Sequence, residues 1–171
     1  MILDFQGKHP QFDSSVFIAD NATIIGDVQI GSQTNIWFYS LVRGDVNAIR
    51  IGARCNIQDG CILHVAKDLL SLDIEDDVVL GHRVTVHGCH IGRGAMIAIG
   101  ATVLNGARIG EEAIVGAGAV VAPGTVIPPR MLALGIPARP TRDLTEKDFA
   151  MIRHTREIYL NLMTTYKQMQ V

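Results

Sequence analysis

The 171 residues carry a net charge of −2 and are 48% hydrophobic but only 5% aromatic. That balance points to one aliphatic-cored domain, gives no basic surface for nucleic acid or an anionic membrane, and contains no apolar run near the ~20 residues of a spanning helix. Met1 to Gln6 lacks the basic region and apolar run of a signal peptide, and three cysteines, an odd number, fit a reducing cytoplasmic setting better than a disulfide framework.

An aliphatic or aromatic residue recurs every six positions from Phe12 through Ile18, Ile24, Ile30, Ile36 and Val42. The register slips by three extra residues and resumes at Ile51, Ile57 and Leu63. It slips by five and resumes at Ile74, Leu80 and Val86, then loses one and runs unbroken from Ile91 to Ile127. Small residues (Ala95, Ala101, Ala107, Ala113, Ala119, Thr125) follow four places after each aliphatic of that last run from Ile91 to Val121. A helix repeats near 3.6 residues and a strand at 2, so a period of six predicts short strands joined by tight corners. Three hexads close a triangular coil, and stacked coils pair strand on strand at ~4.8 Å. The predicted fold is an all-β solenoid, a parallel β-helix of hexapeptide repeats over residues 12–132.

The pattern stops at Pro128-Pro129, and a Gly/Pro-rich linker is expected over 133–144. An α-helix is expected over 145–170, with Thr145 as cap and acids in its first turn. Its apolar positions, Phe149, Ile152, Tyr159, Leu162, Tyr166 and Met169, should pack along the β-helix, making residues 1–171 a single domain.

Coil arithmetic then places the polar residues. Arg43, His64 and His87 each directly follow the aliphatic of their hexad, and their separations equal one coil plus the intervening slip. They therefore share a column. His82 stacks instead with Asp59 and Phe38, on an adjacent face, and Gln58 stacks with Trp37 and Gly81. One chain offers two histidines on one face and a third on another. A threefold axis would set the His64/His87 pair of one chain against His82 of its neighbour, so that a homotrimer carries metal sites at its interfaces. Three neutral imidazoles leave the fourth position of zinc to water, the catalytic pattern. Gln58 is placed to hydrogen-bond the nucleophile, Asp59 to orient an imidazole or receive a proton, and Arg43 and Asp45 to form an ion pair. His9, His90 and His154 fit no such arrangement. Cys55 and Cys61 occupy inward small positions, and Cys89, though close to His87, reads as structural.

Arg43-Gly44-Asp45, Asn56-Ile57-Gln58-Asp59-Gly60, Leu63-His64, Gly81-His82 and Val86-His87-Gly88-Cys89 together resemble the γ-class carbonic anhydrase family, as do Gly135-Ile136-Pro137-Ala138-Arg139 and the C-terminal helix. The resemblance implies left-handed coiling, a homotrimer, and zinc (or ferrous iron or cobalt) held by His64 and His87 of one subunit with His82 of another. It implies that zinc hydroxide attacks CO2 to give bicarbonate. It also implies an Arg43–Asp45 ion pair between subunits, an active-site polar pair in Gln58 and Asp59, and a helix tyrosine, Tyr159, that reaches the pocket, with Asn161 as a second helix candidate. Val46 stands where the archetypal enzyme has a glutamate, and the loop after His64 is short, with Lys67 and Asp68 in place of an acidic proton-shuttling segment. Three other readings are therefore carried beside CO2 hydration: a metal-dependent acyl-CoA thioesterase, a metal-free hexapeptide acyltransferase and a catalytically silent trimeric scaffold.

Overall fold

The computed structural model describes residues 1–67 and 70–169. It is a left-handed parallel β-helix of about 7 turns with one helix, α1 (Glu146–Met169), laid against it. The first face stacks Phe17–Ile18, Asn35–Ile36, Asn56–Ile57, Val79–Leu80, Met96–Ile97, Ile114–Val115 and Met131–Gly135. The second face carries the rungs of Ile24, Val42, Leu63, Val86, Val103 and Val121. The third carries those of Ile30, Ile51, Ile74, Ile91, Ile109 and Ile127. Strands Thr23–Ile30 and Leu41–Ile51 run unbroken around the corner between the second and third faces.

The register residue of each rung points inward because side chains alternate along a strand. Ile36, Ile57, Leu63, Leu80, Val86 and Ile97 are fully buried, and Ala95, Ala101, Ala107 and Ala113 fill the corners. Burying each of the larger aliphatics is worth about 1.5–3 kcal/mol relative to exposure. Cys55 and Cys61 take two of the small corner positions, and burial pushes their thiols up to about 12. Rings lie outside this bore. Phe17, Trp37 and Phe38 point off the first face and interlock with Tyr159 and Tyr166 of α1, with Trp37 5.2 Å from the Tyr159 ring and 5.1 Å from that of Tyr166. The helix is thereby clamped to the face that ends in His82.

Four expectations are corrected. Phe12 is 37% exposed rather than an inward register residue, and the solenoid begins earlier, with Ile2–Leu3 paired in parallel to Ile24–Ile25. The two prolines turn a corner rather than end the coil, since Arg130 N–H still donates to Glu111 O. The segment 133–144 is not a linker. Met131–Gly135 adds a seventh rung to the first face, and Ala138–Asp143 pairs antiparallel with it. Pro140 is tolerated there because that strand is the sheet edge, where a missing N–H costs no ladder bond. On α1, Leu162 and Met169 are exposed, and Met163 is buried in their place. The buried stripe steps through Phe149, Ile152, Arg156, Tyr159, Met163 and Tyr166 by threes and fours, as a helix face must. Residue 170 of the expected helix and Asp68 of the short loop lie outside the described residues. Among the described residues no helix is long and apolar enough to cross a membrane.

Arg156 ties α1 to the solenoid through Asp77, 3.5 Å away, and Arg54 grips the same carboxylate with two hydrogen bonds of 2.8 Å. The Arg54 hydrogen bonds hold the Asp77 carboxyl below its ordinary range; partial burial opposes them and the Arg156 charge adds to them. A depressed carboxyl contributes stability above its unfolded value of about 3.9 and loses it as the pH falls through the folded one. Melting curves taken from neutrality down to below about pH 3 should therefore show Asp77→Asn less stable than the parent near neutrality and flatter on the acid side, where the parent loses this contribution below about pH 4. Parallel acid limbs for the two proteins would refute this.

Candidate metal centre

The parallel register fixes the histidine pair. Arg43 sits opposite His64 and His64 opposite His87 on adjacent rungs of the second face. Because the inward Leu63 and Val86 are fully buried, their neighbours His64 and His87 are turned outward side by side. His64 Nδ1 and His87 Nε2 lie 3.0 Å apart.

The outer nitrogens are both engaged. His64 Nε2 lies 3.0 Å from Asp45 Oδ1, and His87 Nδ1 meets Asn105 Oδ1. Burial pushes the Asp45 carboxyl up, but hydrogen bonds from His64 and Arg43 outweigh it and leave it below the ordinary aspartate range. Asp45 is thus an acceptor, so His64 carries its proton on Nε2 and its lone pair on Nδ1. The Asn105 carbonyl likewise takes the His87 Nδ1 proton and frees Nε2. Two lone pairs then face each other, which is repulsive unless a cation lies between them. A divalent ion with bonds of ~2.0–2.1 Å to imidazole nitrogen spans that gap, and nitrogen donors of this kind suit zinc, ferrous iron and cobalt.

Asp45 follows Gly44 within the strand Leu41–Ile51, and Gly44 lies so close to the neighbouring coil that a Cβ there would sit 2.6 Å from the Asp27 carbonyl oxygen. Within the chain, Arg43 pairs with Asp45. The loop after His64 closes through an Ala66–Leu70 bridge and is held by Asn47, whose Nδ2 donates to Ala66 O; Lys67 is exposed.

His82 lies at the corner between the first and second faces, at the opposite edge of the second face from His64 and His87. Its Nδ1 is 2.9 Å from Asp59 Oδ2, and its Nε2 is 3.3 Å from the Tyr159 hydroxyl. Burial and then the Asp59 charge push the Tyr159 phenol up, so it remains a donor at neutral pH. With Nδ1–H given to Asp59, the His82 lone pair is on Nε2, the nitrogen that faces the Tyr159 hydroxyl at 3.3 Å. Within one chain, among the described residues, no three His, Cys, Asp or Glu side chains are placed to hold a metal together.

Gln58 is only 4% exposed beneath α1. Its Nε2 donates to Asn56 Oδ1 at 2.9 Å, and Asn56 Nδ2 donates to Asn35 Oδ1 at 2.6 Å, which also accepts from the Trp37 indole. The ladder commits the amide nitrogen of Gln58 and leaves Oε1 as its free end. Cys89 faces the core with its thiol pushed up to about 12 by burial and stands apart from the histidines as a metal donor. Asn161 is exposed. Asn105 was missed in the sequence. Its only signal is its place one position past the residue that stacks under His87, in a Leu104-Asn105-Gly106 stretch that reads as an ordinary turn.

Residues 88–123 match the bacterial transferase hexapeptide (six repeats) family. The chain is 47% identical over 170 residues to a carbonic anhydrase of Geobacillus kaustophilus, covering 99% of this chain and 93% of that protein. It is 40% identical over 160 residues to mitochondrial gamma carbonic anhydrase 2 of Arabidopsis thaliana, covering 91% of this chain and 58% of that one. Among solved structures it superposes with a TM-score of 0.96, at 44% identity and with 98% and 97% coverage, on a Bacillus cereus protein that carries an acetyltransferase designation.

Proposed function

Because the chain belongs to the γ-class carbonic anhydrase family, we propose that it catalyses the reversible, metal-dependent hydration of CO2 to bicarbonate as a homotrimer. The observation that carries this reading is the 3.0 Å approach of His64 Nδ1 to His87 Nε2, with an oxygen of Asp45 and of Asn105 at the far nitrogen of each ring. His64 and His87 of one subunit would hold the ion together with His82 of the next.

The surface supports such an assembly. The outward row of the second face, Leu41, Ile62, Thr85, Thr102 and Val120, is uncharged, whereas the third face shows Arg50, Asp73, His90 and Arg108 in the equivalent row. Ile62, Ile99 and Tyr39 are 45%, 56% and 77% exposed beside the His82 corner. The two half-sites flank this uncharged row, so a head-to-tail contact that closes on itself after three copies buries the row and completes every site.

Bound there, the ion would supply a Lewis acid able to make water nucleophilic near neutral pH. The remaining work belongs to the side chains. Gln58 presents Oε1 as an acceptor that turns the nucleophile's hydrogen away from CO2 and its lone pair towards it. Asp59 holds the His82 ring, and Asp45, itself held by Arg43, does the same for His64. Tyr159 brings a protonated hydroxyl and the edge of a ring packed on Trp37, which narrows the site and keeps out bulk water. The three unpaired, buried cysteines support a cytoplasmic location.

The acetyltransferase designation of the Bacillus cereus relative gives acyl transfer or thioester hydrolysis as the second reading. Metal analysis of anaerobically purified protein, with CO2 hydration and acyl-CoA cleavage measured on the same sample, separates the readings. The expected result is about one metal ion per chain and hydration abolished by chelation. Acyl-CoA cleavage without hydration would favour the second reading, and a metal-free, well-folded, active trimer would eliminate the first.

A further inference from the structure

Three arginines or their partners hold left-handed corner positions on this solenoid, and one is treated differently from the others. Arg54, at φ 55°, is gripped by Asp77 from the next coil, and Arg130, at φ 58°, lies 3.6 Å from Glu112 of the preceding one. Arg83, at φ 59°, has Gly60 above it and Gly100 below it in its corner column. Among the described residues, no side chain pairs with its guanidinium. Its stem lies over Gly60, where a Cβ would be 3.4 Å from Arg83 Cγ, and its backbone N–H is fixed to Asp59 O at 2.9 Å. Glycines above and below leave the head group free to swing.

The head group also borders the site. Arg83 directly follows His82 and, with Tyr39, Asp59, Gly60, His82 and Ile99, lines an open depression of about 570 Å³. Asp59, the one carboxylate in that lining, is already engaged by His82 Nδ1. The depression therefore presents an uncompensated planar cation beside the imidazole that faces the neighbouring subunit, with apolar Ile99 and Tyr39 as its walls.

We infer that Arg83 is the anion-recognition residue of this centre, binding bicarbonate through its guanidinium fork at the mouth of the site and contributing little to the capture of neutral CO2. The inference rests on the CO2/bicarbonate reading above. A guanidinium matches two oxygens of a planar oxyanion with two parallel N–H donors, and a lysine supplies only a point charge. No metal ligand is touched, so the ion's own binding is left as it is.

The test uses the cobalt-substituted full chain, whose visible spectrum reports both metal uptake and anion binding. Bicarbonate is titrated into the parent, Arg83→Gln and Arg83→Lys, with neutral imidazole as the control ligand. Arg83→Gln should raise the apparent bicarbonate Kd roughly tenfold, the effect of one charge-assisted contact. Arg83→Lys should lose part of that, imidazole binding and cobalt stoichiometry should not move, and added inert salt should narrow the gap between parent and Arg83→Gln. An unchanged bicarbonate Kd in Arg83→Gln with full cobalt content overturns the inference and leaves the parent reading standing. Failure of the parent protein to take up cobalt overturns both, and cobalt uptake without any bicarbonate response overturns this inference alone.

Discussion

A His82→Ala chain should assemble normally, bind no metal tightly and hydrate no CO2, and a His64→Ala chain should do the same; co-assembled from equal parts, the two should regain about a quarter of the parent's sites. Each mixed trimer has one interface at which an intact His64/His87 pair meets an intact His82. The other two interfaces lack at least one ligand. Random mixing makes about three quarters of the trimers mixed, and about one interface in three of those is competent. The prediction follows from the fold, because His82 and the His64/His87 pair occupy opposite edges of the second face and no rotamer change brings them together within one chain. His82 is a corner residue 41% exposed in its side chain, so truncating it opens no cavity and the rungs of Leu80 and Val86 on either side stay packed. Metal content and hydration rate should return together in the mixture. No recovery there, with both parents trimeric, would mean that each chain builds its own site. Full activity in His82→Ala alone would remove this histidine from the ligand set.

The columns could be read from the letters for a physical reason. In a parallel ladder every rung repeats the last, so separation in sequence converts directly into position in space once the slips are counted. His64 and His87 stack because Leu63 and Val86 do. The same logic placed Asp59 over His82, which the structure joins at 2.9 Å. It failed where local chemistry overrides the repeat. Gly135-Ile136-Pro137 looks like a linker because glycine and proline break strands, yet here they make the turn between two strands at a sheet edge, where such residues cost little. Phe12 kept the spacing but belongs to the first, open coil, which has no rung above it to close over a ring. Leu162 and Met169 matched a helical period, but a period does not say which of two apolar stripes faces inward; Trp37 decides that by packing on Tyr159 and Tyr166. Asn105 was invisible because its role depends on side-chain reach across a corner, which no period encodes.

Asn105 gives the second large effect. Asn105→Leu should weaken metal binding by about 10–100-fold, the usual cost of losing the partner that orients a ligand imidazole, while leaving the melting temperature of the metal-free protein close to the parent's. Asn105 fixes which nitrogen of His87 carries the proton. With an acceptor at Nδ1, the proton stays there and the Nε2 lone pair faces His64 Nδ1 across 3.0 Å. With leucine in that place the acceptor is gone, and the metal-free ring gains by moving its proton to Nε2, where the His64 lone pair can accept it. The two rings then satisfy each other, and an incoming ion must break that bond and displace the proton. Asn105 is half-buried and does not sit in a left-handed conformation, so leucine, of similar size, meets no backbone strain. Asn105→Asp restores an acceptor and should recover the parent's affinity, which a purely steric role for residue 105 would not produce. Competition with a chelator of known affinity measures all three proteins, and nitrogen-15 shifts of His87 read the tautomer directly. Parent-like affinity in Asn105→Leu, or an His87 tautomer unchanged by it, would show that the ring is held by something other than this amide.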